Sequence, residues 1–267
     1  MFVDTHAHLY LENFDMDIAE TIQRSISQGV EKIFLPNIDY ATIDLMVKLC
    51  HQFPENCLPM LGLHPCDVKD NYEIELSKIL DFIQNKLSHF PENKIYAIGE
   101  CGLDYFWDKT HILQQKKALE MQAEWALEMN LPIVLHTRDS FYDTFKIIKP
   151  FAKKGLTGVF HCFSGSQEEA NQLLKLDTFY MGIGGVLTYK NAGIAETIKN
   201  VPLDKIVLET DSPFLTPVPF RGKRNESAYI KIIARKLADL REISLEEIER
   251  ATTNNALKLF QINQFSN

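Results

Sequence analysis

Nothing in this chain approaches the roughly 18 consecutive apolar residues that a membrane-crossing helix needs, so the sequence predicts no membrane span. The first residues, Met1-Phe2-Val3-Asp4-Thr5-His6, have neither the basic flank nor the cleavable apolar stretch of a targeting signal and read as mature protein. Cysteine is sparse. Cys50, Cys57, Cys66, Cys101 and Cys162 are odd in number, scattered and without a CxxC pair, which points to reduced thiols in a cytoplasm and not to a disulfide framework. An excess of positive charge is also missing. A net charge of −8 argues against a protein that coats nucleic acid non-specifically, since that affinity comes from neutralising phosphates. It leaves room for a nuclease that holds one scissile phosphate with local cations and metal ions. Gly182-Ile183-Gly184-Gly185 lacks the spacing of a Rossmann or P-loop phosphate cradle. With no long linker, low-complexity tract or repeat, residues 1–267 are expected to form one domain.

What is present is an ordinary globular composition, 45% hydrophobic and 24% charged, in a chain of 267 residues. A chain of that length buries enough apolar surface to fold without metal or disulfide. Strand patterns at Phe2–His8, Lys32–Pro36, Leu58–His64, Ile95–Glu100, Pro132–Arg138, Thr157–Phe163, Thr178–Gly182 and Ile206–Asp211 are mostly apolar, as in sheets covered on both faces. Helical patterns lie between them at Asp17–Gln28, Tyr40–Gln52, Glu73–Leu87, His111–Met129, Ser140–Phe151, Gln167–Leu174 and Ala192–Ile198, and Glu226–Arg241 and Ser244–Phe260 close the chain. The alternation predicts an α/β fold with a parallel sheet, either closed into a (β/α)8 barrel or left open and doubly wound.

The polar residues are concentrated at strand ends. Asp4-Thr5-His6-Ala7-His8, Gly62-Leu63-His64, Ile98-Gly99-Glu100, Val134-Leu135-His136, Val159-Phe160-His161 and Leu208-Glu209-Thr210-Asp211 each bring metal-capable side chains to the C-terminal end of a strand. In a parallel barrel those ends share one rim, where active sites of this architecture lie. Alternation along a strand turns His6 and His8 the same way. A lone histidine is more often a satisfied core residue, but five of the eight histidines fall at strand ends, and metal coordination removes the cost of burying them beside acids. The same alternation turns Cys101 and Cys162 toward the helices, sets Arg138 on the side of His136, and puts Glu209 one layer below Asp211. Asp4 and Glu209 are read either as orienting the imidazoles or Arg138, or as bonded to backbone. His51, His89 and His111 read as surface or packing residues, and Arg24 sits on a helical stretch with no chemistry attached.

With these residues the chain resembles the TatD family of metal-dependent deoxyribonucleases, within the amidohydrolase-like barrels. The likeness covers essentially the whole chain. It runs through Asp4-Thr5-His6-Ala7-His8, Gly62-Leu63-His64-Pro65, Ile98-Gly99-Glu100-Cys101-Gly102-Leu103-Asp104-Tyr105, Pro132–Arg138, His161-Cys162-Phe163-Ser164-Gly165, Glu209-Thr210-Asp211-Ser212-Pro213 and Arg221-Gly222-Lys223-Arg224-Asn225-Glu226. Tyr10, where members often carry an acid or amide, and Ser227, where proline often follows Asn-Glu, depart from the pattern. The resemblance implies a single, distorted (β/α)8 (TIM-type) barrel with additional C-terminal helices. It also implies two divalent ions, zinc, magnesium or manganese: one on His6, His8, Glu100 and Asp211, the other on Glu100, His136 and His161.

The expected activity is hydrolysis of DNA phosphodiesters by a metal-activated water, with Asp211 accepting its proton. Arg138, by its side of the strand, and His64, from the rim, are the candidate phosphate contacts. Arg221, Lys223 and Arg224 join them because that cluster follows the eighth strand. A short basic run is as often a solvated surface feature, and Asn225 and Glu226 are equally readable as caps of the next helix. Asp104 and Tyr105 follow Glu100 as candidate pocket residues. Phe106 and Trp107 either offer a base a stacking face or pack on neighbouring loops. The competing expectations are a carbon–nitrogen or carboxylic ester hydrolase, such as a D-aminoacyl-tRNA deacylase, and a metal-loaded protein without turnover.

Overall fold

The structure, a computed structural model, describes residues 1–262. Among the described residues eight strands alternate with helices: β1 Phe2–Asp4, β2 Val30–Pro36, β3 Cys57–Met60, β4 Ile98–Asp104, β5 Ile133–Arg138, β6 Gly158–Phe160, β7 Phe179–Ile183 and β8 Ile206–Leu208. The helices are α1 Ile18–Ser27, α2 Ile43–Gln52, α3 Tyr72–Asn85, α4 Ile112–Glu128, α5 Phe141–Ala152, α6 Gln167–Leu173, α7 Ile194–Ile198, α8 Ile230–Arg241 and α9 Leu245–Leu259. Their starts follow local chemistry. Ser166 caps α6 in a reciprocal capping box with Glu169, and the Ser244 side chain accepts the Glu247 N–H at the start of α9. Among the described residues no helix is long and apolar enough to cross a membrane.

Two compact units make up the chain. The first comprises Met1–Leu35, Cys162–Leu174 and Tyr180–Asn267. In it β1 pairs in parallel with β2 (Asp4 opposite Ile33) and β7 with β8 (Ile183 opposite Leu208). The tail of β1 runs beside the tail of β8. Thr5 N–H donates to Leu208 O (3.1 Å), Asp211 N–H to His6 O (2.9 Å) and His8 N–H to Ser212 O (2.7 Å). The order is therefore β7-β8-β1-β2. Pairing of the last strand with the first belongs to a (β/α)8 barrel and is absent from the open doubly wound alternative. Phe34 of β2 stacks on Phe260 at 3.8 Å, and Ile22, Ile233, Leu237 and Ile248 are buried with them, so α1, α8 and α9 cover the strands with apolar faces.

The second unit, Pro36–His161 with Lys175–Phe179, has the order β3-β4-β5-β6, again parallel. Leu61 bridges Ile98, and β4 and β5 place Gly102 opposite His136 and Asp104 opposite Arg138. Gly102 has φ +149°, and a Cβ there would run into the His136 carbonyl oxygen. Only glycine lets the two backbones approach this closely.

The helices lie close to their sequence patterns, but several strands do not. β1 stops at Asp4 instead of His8, β3 at Met60 instead of His64, β6 at Phe160 instead of Phe163, and β8 at Leu208 instead of Asp211. β4 runs the other way, beginning at Ile98 and continuing to Asp104. For β6 and β8 the reason is conformational: Cys162 (φ 48°) and Asp211 (φ 57°) adopt left-handed backbone just past the ladder. Strict side-chain alternation therefore ends at Cys162 and at Asp211. Cys101 stays on its strand and is buried as expected, with its thiol toward Val134 O.

Candidate metal centre

In the first unit, the chain beyond β1 stays extended because Ala7 N–H bonds Phe34 O while its neighbours bond the β8 tail. That holds His6 and His8, both buried, with their Nε2 atoms 3.2 Å apart. Asp211 Oδ1 lies 3.8 Å from His6 Nε2 and 3.7 Å from His8 Nε2. Bonds of 2.0–2.1 Å to a tetrahedral ion separate two ligand nitrogens by about 3.3 Å, so this pair stands at ligand spacing. His8 Nδ1 is 3.1 Å from the Tyr10 hydroxyl, a contact that fixes the ring.

Beneath this cluster Asp4 accepts from Thr210 N–H (2.9 Å), Thr210 Oγ1 (2.6 Å) and His6 N–H (3.3 Å). Burial pushes its carboxyl up to about 7, against the hydrogen bonds it accepts. Asp4 thus fixes the turn that carries Asp211. Glu209 accepts the Cys162 N–H. Of the two readings for these acids, backbone bonding is met by both: Asp4 takes the Thr210 and His6 N–H groups and Glu209 that of Cys162. Asn225 caps no helix; its Nδ2 donates to Thr210 O (2.7 Å) and Phe214 O (2.6 Å), closing the loop around Asp211.

The second unit gathers its donors on one carboxylate. Glu100 Oε1 lies 2.9 Å from His136 Nδ1, 2.9 Å from His161 Nε2 and 3.4 Å from His64 Nε2, with Glu100 and His161 buried. Donor atoms of His64, Glu100 and His136 all lie within 4.8 Å of one another, a grouping able to hold a metal ion. One oxygen cannot satisfy three imidazoles at once, whereas a cation shared among them would.

His136 is gripped from both sides, since its Nε2 lies 2.9 Å from Asp104 Oδ2. Burial draws its pKa down, but hydrogen bonds to Asp104 and Glu100 outweigh that and hold it above the ordinary value. For Asp104, burial pulls upward and is outweighed by His136 and the Trp107 and Phe106 N–H groups, which keep its carboxyl well below the usual range. Burial lowers the pKa of His64. His64 Nδ1 accepts the Cys66 N–H at 3.1 Å, which puts the ring proton on Nε2, toward Glu100.

Three amides behind this cluster escaped the sequence reading. Asn37 Oδ1 accepts Gly62 N–H (2.7 Å), Gln122 Oε1 accepts Leu63 N–H (2.7 Å) and Gln115 Oε1 accepts Asp104 N–H (2.9 Å). The signal was available for two of them. Gln115 and Gln122 are seven residues apart on α4, on the face that carries Ala118, Leu119, Ala123 and Ala126, and all are buried.

The basic candidates are placed unevenly. Arg138 stacks its guanidinium 4.0 Å from the Phe106 ring centroid, and Arg221 lies 4.1 Å from that of Tyr189. Lys223 is exposed. Arg224 is committed elsewhere: it bonds Asp17 through both terminal nitrogens (2.6 and 2.8 Å) and the Asn13 carbonyl. Arg24 joins the same group through Asp17 and Glu226. His51 meets the His89 carbonyl, and His111 faces Asp70.

A family model described as TatD related DNase matches residues 3–261. The chain belongs to that family. A metal-dependent hydrolase of Bacillus subtilis, YabD, is 41% identical over 98% of this chain and 100% of its own length. YcfH of Escherichia coli, described in the same terms, is 31% identical over 97% and 96%. The crystal structure of YjjV, a TatD homologue from Escherichia coli, superposes with a TM-score of 0.88 at 29% identity and covers 98% of both chains. The protein is thus a TatD-family metal-dependent hydrolase with the fold of that family, and its clustered histidines and acids are groups able to bind metal.

Proposed function

We propose that this TatD-family protein is a deoxyribonuclease that hydrolyses phosphodiester bonds, acting on single-stranded DNA from an end. The observation that carries the reading is the buried Glu100 carboxylate contacted by three imidazoles, a donor set that divalent ions match better than protons do. The family description supplies DNA as the substrate class. Family likeness, and not the geometry of either unit, joins the clusters into two sites: one ion on His6, His8, Glu100 and Asp211, the other on Glu100, His136 and His161. Nitrogen and carboxylate donors suit zinc and manganese, and phosphate substrates also suit magnesium.

When bound, the ions supply Lewis acidity that brings the pKa of water toward about 7 and offsets phosphate charge. Asp211, whose side chain is 14% exposed between buried histidines, accepts the proton of the attacking water. Asp104 and Glu100 keep His136 in one orientation. His64, turned onto Glu100, positions that carboxylate. Arg138, Arg221 and Lys223, which have no carboxylate partner among the described residues, are assigned to the phosphate oxygens.

The test strips the protein with chelator and restores zinc, manganese or magnesium singly, against a labelled single-stranded oligonucleotide and a panel of cyclic amides and esters. Oligonucleotide cleavage that Asp211→Asn lowers at least about 100-fold in kcat is expected. Near-native turnover by the reloaded variant overturns the role of Asp211. Turnover confined to amides or esters, such as a D-aminoacyl-tRNA, replaces the nuclease with the other hydrolase class, and metal binding without turnover of any substrate removes catalysis.

A further inference from the structure

Two of the largest exposed hydrophobic side chains in the chain are neighbours, Phe106 at 51% and Trp107 at 68%. Adjacent exposed aromatics cost solvation free energy, which loop packing would ordinarily remove. Here they do not bury themselves. Their rings meet edge to face at 5.1 Å, and the Arg138 guanidinium lies 4.0 Å from the Phe106 centroid and 5.3 Å from that of Trp107.

The turn that presents them is rigid. Asp104 Oδ1 accepts both the Phe106 N–H (2.8 Å) and the Trp107 N–H (2.9 Å), while Tyr105 N–H donates to Arg138 O (2.9 Å). The other oxygen of Asp104 holds His136. A cation, two π faces and a metal-capable histidine are therefore fixed by one carboxylate and two adjacent strands.

We infer that Phe106, Trp107 and Arg138 form a stacking platform for one nucleobase of a single-stranded substrate, with Arg138 also meeting its phosphate. This rests on the nuclease reading. A ring face left open in a rigid turn takes a base without ordering cost, and guanidinium and aromatic planes are the surfaces on which unpaired bases stack. A base inside a duplex is already stacked on its neighbours and cannot use the platform. The arrangement thus selects single strands by ring geometry and not by base identity.

The test separates binding from cleavage. Chelated full-length protein is titrated with a fluorescein-labelled oligothymidylate, followed by anisotropy and by tryptophan fluorescence. The only other tryptophan, Trp125, is 7% exposed, so quenching reports Trp107. Trp107→Ala is expected to weaken single-strand binding about tenfold, the loss of one stacked base, while Trp107→Tyr restores it. In reloaded protein the same variant raises KM for the oligonucleotide and leaves kcat/KM for a strand of abasic sites unchanged, since that strand has no ring to stack. Unchanged oligonucleotide affinity and KM in Trp107→Ala, with cleavage intact, overturns the platform and leaves the nuclease standing. An oligonucleotide neither bound nor cleaved by a reloaded protein that still hydrolyses bis(p-nitrophenyl) phosphate overturns both.

Discussion

At the scale of single residues, Asp104 shows how a side chain outside the donor set controls one inside it. With Oδ2 at 2.9 Å from His136 Nε2, the carboxylate favours the tautomer protonated there and leaves Nδ1 with its lone pair toward Glu100. Asp104→Asn keeps an acceptor for the Phe106 and Trp107 N–H groups but turns an amide N–H on Nε2. The ring proton is then driven to Nδ1, where it blocks a metal. Metal affinity measured by competitive chelator titration is expected to fall about ten- to a hundredfold, with the far-UV spectrum unchanged. Unaltered affinity would show that the Asp104 contact orients nothing. Histidines and acids at strand ends were legible in the sequence because their residue types are rare in cores. The Asp104–His136 pairing was not, because it joins residues 32 apart through strand register.

At the scale of elements, the lesson concerns where a strand stops. Apolar runs located all eight strands, but the polar tails of β1, β6 and β8 were read as strand when the chain had already turned into left-handed backbone or irregular pairing. Part of the basic segment after β8 is held in ion pairs. Arg224, a phosphate candidate, and Arg24, assigned no chemistry, instead fasten α1 to that segment through Asp17 and Glu226 across separations of 207 and 202 residues. Such pairs leave no local pattern. Arg224 first, and Arg24 with it, hold the Asp17 carboxyl below its ordinary range despite partial burial. A depressed folded pKa contributes stability that is present above the unfolded value, about 4, and lost as pH falls below it. The side chain is 33% exposed, so the contribution is that of a screened network, about 1 kcal/mol. Asp17→Asn is expected to lower Tm by about 2–4 °C at pH 7. The difference from wild type should shrink as the melts are repeated below pH 4. A constant difference across that window would assign the effect to packing and not to ionisation.

At the scale of the whole molecule, alternation of strands and helices left closed and open sheets both possible. The bonds that decide it are long-range: Thr5 donates through both its N–H and its hydroxyl to Leu208 O, 203 residues away. Closure of this kind also bears on what metal removal does. The described strands are covered by buried apolar helical faces in each unit, and 267 residues bury enough surface to fold unaided. Metal is therefore expected to stabilise by linkage and not to create the fold. An ion held at 100 times its Kd adds about 2.7 kcal/mol, which for a protein of this size is about 5–10 °C in Tm. Chelation should lower the calorimetric Tm by that amount, abolish hydrolysis, and leave the secondary structure intact at 25 °C, with re-addition of the ion reversing both losses. Collapse of the circular dichroism signal at 25 °C would mean that the clusters around Glu100 and His6 organise the fold itself. An unmoved Tm would mean that they bind no ion tightly enough to matter.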